Sequence, residues 1–494
     1  MNTVAFPRKV AIIGGGAGGL STAVILAKLG CDVTVYEKNF QPGGLMRSYR
    51  RGGIDCEVGV HYLGSLDKGQ VLRTFFDYLG VSDAIPVTRM GQNGVIDRYH
   101  LQAPSSPSII FDLVEGIDAY AHNLALAFPE ETGVIEVLAR EIRKAARQLH
   151  NLDFLNAADN DFSLLDQFRP MGEIVDELKC SPALRSILAI PSCWIGVPFD
   201  DCPAYYHHMA LASYVSSSWR LDNSGAAMAD ALAARLESLG GKLVTGEKIS
   251  RILVESRVVG GVELATGERV EADTVIAAVH PKVVVSMLKP EDTKPSYRQR
   301  IAGIFDTHGI FCAHVMVDSQ SCEVRDHNIF KIETDADGGV EDMKYYQIRA
   351  SEQQGINLLS ILTSGNDTVW EPWRQTFSGR RGPDYENAKY RHAAKLVAES
   401  EDLLGPLGET TLLDTYTPLT LRDWVGSPGG SAYGVRRSCS QMLATALLNR
   451  TAVKGLYLAG QNVLAPGIVG TFMGSFATVK LLLGREEFGQ LVRF

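Results

Sequence analysis

VAIIGGGAGGL, residues 10–20, decides the fold of this chain. Its four apolar residues are typical of a buried parallel strand, and a Gly-x-Gly-x-x-Gly pattern at 14, 16 and 19 follows them. Residues 22–29 (TAVILAKL) have helical periodicity, and DVTVYE at 32–37 predicts a second strand. Strand, glycine-rich turn, helix and strand together predict a βαβ unit that binds a dinucleotide.

The residues of this unit have separate tasks. Gly14 permits the tight turn, Gly16 lets backbone approach a pyrophosphate, and Gly19 lets the helix pack closely on the strand. The N-terminus of the helix offers unpaired N–H groups and a positive dipole end to phosphates. Glu37 ends the second strand, where a carboxylate binds ribose hydroxyls and repels a 2′-phosphate. The site is therefore predicted to take FAD or NAD.

The residues after Glu37 choose between these two cofactors. Lys38 is followed by Pro42-Gly43-Gly44-Leu45 and then by GVHYLG at 59–64. This continuation resembles the flavin amine oxidase and phytoene desaturase superfamily, and it is most similar to the retinol saturase and carotenoid isomerase branch. Leu45 fits that branch, whereas many desaturases carry Arg there. The resemblance implies FAD as the cofactor.

Two C-terminal stretches extend the resemblance. Thr417-Pro418-Leu419-Thr420 and the loop 426–434, which ends in Tyr433-Gly434, are similar to the same branch. Residues 455–462 predict a buried strand, and Pro466-Gly467 opens a helix that is predicted to run through Leu483. Small residues let the start of that helix approach a flavin, so that its dipole stabilises negative charge on the reduced ring.

The resemblance implies both an architecture and a set of contacts. It implies an α/β fold with a Rossmann-like, glutathione-reductase-like FAD-binding domain (1–100, 221–290 and 422–494) and a discontinuous α+β substrate domain (101–220 and 291–421). The residues expected at the cofactor are Gly14, Gly16, Ala17, Gly18, Gly19, Glu37, Lys38, Gly44, Leu45, Gly59, His61, Tyr62, Ile249, Ala277, Ala278, Gly460, Asn462, Gly467, Ile468 and Val469. Asn462 stands where relatives usually have an acid.

His61, Tyr62 and Tyr433 are the candidate proton donors or acceptors, by their position in the family-like loops. The alternative is that His61 and Tyr62 only pack against the flavin or hydrogen-bond to it. Aromatic density between 194 and 219 is suited to the wall of an apolar cavity, and Trp219 is expected to line it.

The remaining local patterns predict further elements. Helical patterns cover 118–150, 171–190, 226–239 and 383–404; strands are expected at 309–317 and 356–362, and a hairpin at 258–262.

Composition limits the partners. The net charge is −9 without a Lys/Arg-rich run, so nucleic acid is not expected. The eight cysteines form no C-x-x-C, and the adjacent His207 and His208 point in different directions, so no metal is expected and the thiols are interpreted as reduced. The N-terminus leaves no room for a signal peptide, and no apolar run of about 18 residues exists. A cytoplasmic protein is predicted. The uncharged segment 186–199 is interpreted as core or, alternatively, as a tunnel lip that contacts a membrane.

The leading functional prediction is an FAD-dependent oxidoreductase that acts on carbon–carbon bonds of an apolar polyene or isoprenoid lipid, such as a carotenoid or retinoid. Saturation, desaturation and isomerisation all remain open, as does the oligomeric state. An amine-oxidase-like flavoenzyme is the alternative and requires a polar cavity with an aromatic cage. A non-catalytic lipid carrier of the same fold is a third possibility.

Overall fold

The computed structural model describes residues 8–104, 107–156, 168–365 and 367–494. The strands, in chain order, are β1 (Lys9–Ile13), β2 (Asp32–Glu37), β3 (Ser48–Arg51), β4 (Ile54–Glu57), β5 (Leu63–Gly64), β6 (Val87–Arg89), β7 (Val95–Gln102), β8 (Ile109–Val114), β9 (Ser218–Leu221), β10 (Lys242–Thr245), β11 (Ile249–Glu255), β12 (Val258–Leu264), β13 (Arg269–Glu271), β14 (Thr274–Ala277), β15 (Ile310–Asp318), β16 (Asn328–Thr334), β17 (Val340–Ala350), β18 (Ile356–Ser364), β19 (Thr410–Tyr416) and β20 (Leu456–Leu458).

The α-helices of the described residues are α1 (Ala17–Lys28), α2 (Val71–Leu79), α3 (Ile117–Ala127), α4 (Thr132–His150), α5 (Asp153–Asn156), α6 (Met171–Glu177), α7 (Pro182–Cys193), α8 (Ala204–Ser216), α9 (Ser224–Ser238), α10 (Pro281–Ser286), α11 (Pro295–Ala302), α12 (Asp367–Trp370), α13 (Gly382–Leu404), α14 (Pro418–Val425), α15 (Met442–Thr445), α16 (Gly467–Leu483) and α17 (Arg485–Leu491).

A parallel sheet with the order β10-β2-β1-β14-β20 holds the glycine-rich turn. Its central strand β1 is buried on both faces, which explains its uninterrupted apolar run. Helix α1 packs between α9 and α16 and is buried over almost its whole length. The predicted βαβ unit is confirmed, as is the predicted helix that ends at Leu483.

A seven-stranded sheet with the order β19-β15-β18-β17-β16-β7-β8 forms the second layer. Its pairs are antiparallel except for β7 and β16. Along β15, Phe311, Ala313 and Val315 pack with α13, while Cys312 faces the cluster that includes α7 and α8. This alternation places a helical layer on each face of the sheet.

Two predicted helices are interrupted. The pattern over 118–150 is divided between α3 and α4, because Pro129 starts a separate turn between them. The pattern over 171–190 breaks after α6, where Lys179 adopts a φ of +56°. Ser181 then caps α7 by accepting a hydrogen bond from Leu184 N at 3.2 Å.

The predicted hairpin at 258–262 is wrong, because these residues belong to the single strand β12. The reversal lies two residues earlier, where Ser256 and Arg257 take φ values of +50° and +62° and join β11 to β12. The strands expected at 309–317 and 356–362 and the helices expected at 226–239 and 383–404 are confirmed within two residues.

The predicted division into two domains stays a prediction. The seven-stranded sheet takes one strand from Val95–Gln102, which begins before the proposed boundary at 100. Within the described residues no single helix is both long and apolar enough to cross a membrane. Only α16 and α17 taken together, bent by 117°, reach that length and composition. Residues 1–7, on which the signal-peptide prediction depends, lie outside the described residues.

The cysteines and the His207-His208 pair bear on the expected absence of a metal site. All eight cysteines are free thiols. His207 is buried and donates from Nε2 to Leu188 O at 2.7 Å, and burial lowers its pKa to about 4. Over the described ranges, no group of three His, Cys, Asp or Glu side chains is placed to hold a metal ion.

Candidate active site

The three fingerprint glycines differ in what a side chain would meet. Gly14 has a φ of +99°, and a Cβ there would lie 2.9 Å from Val279 Cγ1. A Cβ on Gly19 would lie 1.8 Å from Gly14 O, so the helix contacts the turn directly. A Cβ on Gly16 has no heavy atom nearer than 3.8 Å. The first and third glycines are therefore required by the fold, whereas a Cβ on the second would make only ordinary contact with Gly43 and Gly44, and this glycine borders an open space.

That space is a cleft of about 400 Å³, which we call the cofactor cleft. It extends from the turn after β1 to the N-terminus of α16. Most of the predicted contact residues line it: Gly14, Gly16, Ala17, Gly18, Glu37, Lys38, Gly44, Leu45, Gly59, His61, Ile249, Ala278, Gly460, Asn462, Gly467 and Ile468.

The structure places four predicted contact residues elsewhere. Gly19 lies beneath the turn, and Ala277 is fully buried in β14, where it pairs with Ile13. Tyr62 and Val469 line a neighbouring cavity. These four residues were predicted to contact the cofactor from their positions in the sequence. Sequence position does not determine which residues of a segment face the cleft.

Glu37 is held in place by backbone at the end of β2. Its Oε2 accepts a hydrogen bond from Gly15 N at 2.8 Å, and its Oε1 accepts from Asn39 N at 2.9 Å and from Asn39 Nδ2 at 2.7 Å. The residue is 6% exposed. A carboxylate has about four acceptor positions, so this oriented group keeps capacity for a sugar hydroxyl.

Asn462 has a second task that its position in the sequence does not reveal. Its Oδ1 accepts a hydrogen bond from Val435 N at 3.0 Å, and a Cβ on Gly434 would lie 2.1 Å from the same oxygen. The side chain therefore holds the loop that carries Tyr433 against the cleft. Its amide N–H₂ group remains as a donor for a ligand.

Sequence reasoning missed several cleft residues. They come from segments far apart in the chain and include Asn39, Lys248, His280, Trp424, Gln461 and Thr471. The Gly-rich loop 426–434 was a usable signal for the region around Trp424, since glycine-rich loops commonly let backbone approach a ligand.

A second, apolar cavity of about 230 Å³ adjoins the cleft. The described residues that line it include no Asp, Glu, Lys or Arg. Its aromatic wall consists of Tyr62, Trp194, Tyr206, Tyr214, Phe330, Tyr345 and Tyr433. Cys193, Trp194 and Ile195 come from the uncharged segment 186–199, so this segment contributes to the cavity wall.

Trp219 is not part of this wall, and the expectation that it lines the cavity is wrong. Its ring packs against Arg89, whose Cζ lies 5.2 Å from the ring, and its Nε1 donates to Ser217 Oγ at 3.2 Å. Strand β9 pairs with β5 and β6, and although Leu63, the partner of Trp219 on β5, lines the cavity, Trp219 itself does not.

The cleft and the cavity meet at a shared boundary, which we call the junction. The residues that line both spaces are Gly59, Val60, His61, Ile310, Leu362, Tyr433, Gly467 and Ile468. Two of the three catalytic candidates, His61 and Tyr433, therefore lie at the junction. The third, Tyr62, lines the cavity and not the cleft. A ligand in the cavity and a cofactor in the cleft would meet at these residues.

His61 is oriented by a buried ion pair. Its Nδ1 lies 3.2 Å from Glu57 Oε2, and Glu57 Oε1 accepts from Arg349 Nη1 at 2.6 Å. The Glu57 side chain is 3% exposed. Because the carboxylate accepts the Nδ1 hydrogen, the Nε2 atom is the acceptor in neutral His61. That Nε2 is buried and has no hydrogen-bond partner among the described residues.

Comparison with known proteins identifies the family. The model for flavin containing amine oxidoreductases matches residues 17–471. The chain belongs to this family. It is accordingly a flavin-dependent oxidoreductase. The cleft includes the glycine-rich turn, from which the sequence predicts a dinucleotide-binding site.

Individual relatives refine the comparison. An all-trans-retinol 13,14-reductase from Danio rerio is 22% identical, over 96% of this chain and 86% of that protein. A 4,4'-diaponeurosporene oxygenase from Staphylococcus aureus is 24% identical, over 55% of each chain. Putrescine oxidase bound to putrescine has the same fold, with a TM-score of 0.65, 17% identity and coverage of 96% of this chain and 98% of that one. The resemblance to the retinol saturase branch and the predicted α/β fold are confirmed.

Proposed function

We propose that this flavin oxidoreductase binds FAD in the cofactor cleft and saturates a carbon–carbon double bond of an apolar polyene or isoprenoid lipid held in the apolar cavity. Saturation is the proposed direction because the retinol reductase aligns over nearly the whole chain, whereas the diaponeurosporene oxygenase aligns over about half. When bound, the flavin would supply the hydride for this reaction.

The residues of the cleft fit FAD. The open position at Gly16, at the N-terminus of α1, leaves room for a pyrophosphate beside unpaired N–H groups. The oriented carboxylate of Glu37 is suited to a ribose without a 2′-phosphate. The start of α16, with Gly467 and Ile468 at the junction, directs its positive dipole end to where a flavin ring would lie.

The main support for the proposed substrate class is that the described residues that line the cavity include no Asp, Glu, Lys or Arg. An amine oxidase binds a cation, and a buried cation requires a carboxylate or another compensating group. A polyene offers no charge, and it gains binding free energy from buried apolar area, roughly 25 cal/mol per Å² before ordering costs. The aromatic wall is suited to such a ligand.

At the junction, the chain's own residues would position the substrate and exclude water. His61 is fixed by Glu57, and the residue lies at the boundary of the two spaces. Tyr433 lies at the same boundary, and burial raises the pKa of its hydroxyl to about 12, so that it stays a neutral donor. We propose that these two side chains orient the cofactor and the reacting double bond.

The test begins with the purified protein, which should be yellow and contain one FAD per chain that acid or heat releases. The flavin is then reduced anaerobically with dithionite, and all-trans-retinol is added as the probe while flavin absorbance is recorded. Reoxidation, together with a product heavier by two hydrogens, supports the proposal. Oxidised enzyme mixed with putrescine provides the comparison. Reduction of the flavin by putrescine, without any reaction with retinol, would refute the proposal in favour of amine oxidation.

The source from which such a substrate would reach the cavity leads to a further proposal. Polyene lipids reside in bilayers, so the chain is expected to contact a membrane surface at least transiently. Co-sedimentation with retinol-loaded phosphatidylcholine vesicles measures this, and complete recovery in the supernatant would count against it.

A further inference from the structure

A buried carboxyl group, Asp97 on β7, lies directly behind the aromatic wall of the apolar cavity. The residue is fully buried. Its Oδ2 accepts a hydrogen bond from the hydroxyl of Tyr62 at 3.3 Å, and its Oδ1 accepts from Asn328 Nδ2 at 2.8 Å. Tyr62 lines the cavity, whereas Asp97 does not. The carboxyl group therefore contacts the cavity wall directly through the Tyr62 hydroxyl, and through Asn328 it is also linked to Tyr345.

Neighbouring groups fix this arrangement without neutralising the carboxylate. Asn328 Oδ1 accepts from Tyr345 Oη at 3.0 Å and from Arg220 Nη2 at 3.1 Å, so the Asn328 amide cannot turn. Arg220 also donates a hydrogen bond to the carbonyl oxygen of Arg325. Within the described part of the chain, Asp97 forms no ion pair.

The surroundings of Asp97 are mostly neutral. The titratable and charged groups that face it are Tyr62, Tyr99 on β7, Tyr214 on α8, Arg220 on β9 and Tyr345 on β17. Burial raises the pKa of Asp97 to about 7, although the hydrogen bonds from Asn328 and Tyr62 and the charge of Arg220 oppose the rise. The carboxyl group thus changes its protonation state near neutral pH.

The two protonation states have opposite effects on Tyr62. An ionised Asp97 can only accept, so the Tyr62 hydroxyl hydrogen points at Asp97 and away from the cavity. A protonated Asp97 donates its own hydrogen to Tyr62 Oη, which leaves the Tyr62 hydrogen free to point at a ligand. Only the second state presents a proton to the cavity.

We propose that Asp97 is a positioning residue that makes Tyr62 the proton donor to the substrate carbon and then restores its proton. The proposal rests on the saturation proposed above. A bound, reduced flavin would supply a hydride whose electron pair becomes the first C–H bond, and the π electron pair would then take the Tyr62 hydroxyl proton to form the second C–H bond. The Asp97 proton moves to Tyr62 Oη, and Asp97 is reprotonated from water after product release.

The first test is the pH profile of reoxidation of dithionite-reduced enzyme by all-trans-retinol. In the wild-type protein the rate should fall about tenfold for each pH unit above about 7, as the protonated fraction falls. Asp97→Asn keeps a permanent donor toward Tyr62 Oη, so its profile should be flat across this range. Tyr62→Phe should lower the rate by about 10²–10⁴-fold at every pH. Asp112→Asn, the same change on the adjacent strand β8, should retain the wild-type profile.

The second test needs no turnover. Infrared difference spectra of the FAD-loaded protein between about pH 5.5 and pH 8.5 should show a protonated-carboxyl band that is absent in Asp97→Asn. The proposal is overturned if this band is missing, if Asp97→Asn lowers the rate equally at all pH values, or if Tyr62→Phe reacts at the wild-type rate. A failure of every variant, wild type included, to react with retinol would instead contradict the proposed function, and the infrared titration would still decide the state of Asp97.

Discussion

Gly16→Val separates cofactor binding from folding, because the structure predicts different effects of a side chain at each fingerprint glycine. At Gly16 the new Cβ has no heavy atom nearer than 3.8 Å, and because Gly16 lines the cofactor cleft, we expect a valine side chain there to compete with a ligand for space. At Gly19 a Cβ would collide with Gly14 O at 1.8 Å. The first substitution should fill the place of a pyrophosphate, and the second should disturb the packing of α1 on the turn.

The magnitudes follow from these contacts. Gly16 is the N-cap residue of α1, and replacing it with valine should reduce the unfolding free energy of the apoprotein by about 1 kcal/mol. Gly19→Ala should cost about 1–3 kcal/mol through overpacking. FAD at a thousand times its Kd stabilises a protein that binds it by about 4 kcal/mol. The Gly16→Val protein should lose this stabilisation by FAD completely.

Urea unfolding of the apoproteins, with and without added FAD, measures both quantities, and visible absorbance of the purified proteins gives the flavin content. We expect Gly16→Val to be colourless, close to wild type as an apoprotein, and unresponsive to FAD. Gly19→Ala should be less stable already without FAD. A Gly16→Val protein that is isolated with one flavin per chain would show that the pyrophosphate does not lie at this turn.

Three further predictions concern the cavity, the ion pair and the buried carboxyl group. Trp194→Ala should raise the KM for all-trans-retinol about tenfold, equivalent to about 1.4 kcal/mol of lost binding, whereas Trp219→Ala should leave KM unchanged; steady-state kinetics distinguishes the two. Arg349→Met leaves a buried carboxylate without its cation and should cost about 3–5 kcal/mol in urea unfolding, while Arg50→Met, at an exposed pair, should cost less than about 1 kcal/mol; equal losses would contradict the burial argument. Because the folded pKa of Asp97 is raised from 3.8 to about 7, its stabilising contribution is complete below about pH 4 and is lost as the pH rises to about 7, by about 1.4 kcal/mol per unit. Asp97→Asn should remove this slope from the pH dependence of the unfolding free energy, and an unchanged slope would refute the raised pKa.

The sequence by itself determined the elements that are specified by residues close together in the chain. The alternation of β1, α1 and β2 follows from apolar runs, glycines and helical periodicity within a single stretch of about thirty residues. The start of α16 was predictable for the same reason, since small residues follow Pro466. Local patterns were less successful where a single residue interrupts them, as Pro129 and Lys179 do.

Only the tertiary structure decided which side chains act together. Asn328 meets Asp97 across 231 residues through the pairing of β16 with β7, and Glu57 meets Arg349 across 292 residues although their strands do not pair; no local pattern encodes either contact. The same holds for Trp219, an aromatic residue in the expected segment that packs against Arg89 and does not line the cavity, although its strand partner Leu63 does. Burial is the physical reason. A carboxyl group such as that of Asp97 acquires its unusual protonation only when residues distant in the chain exclude water from it.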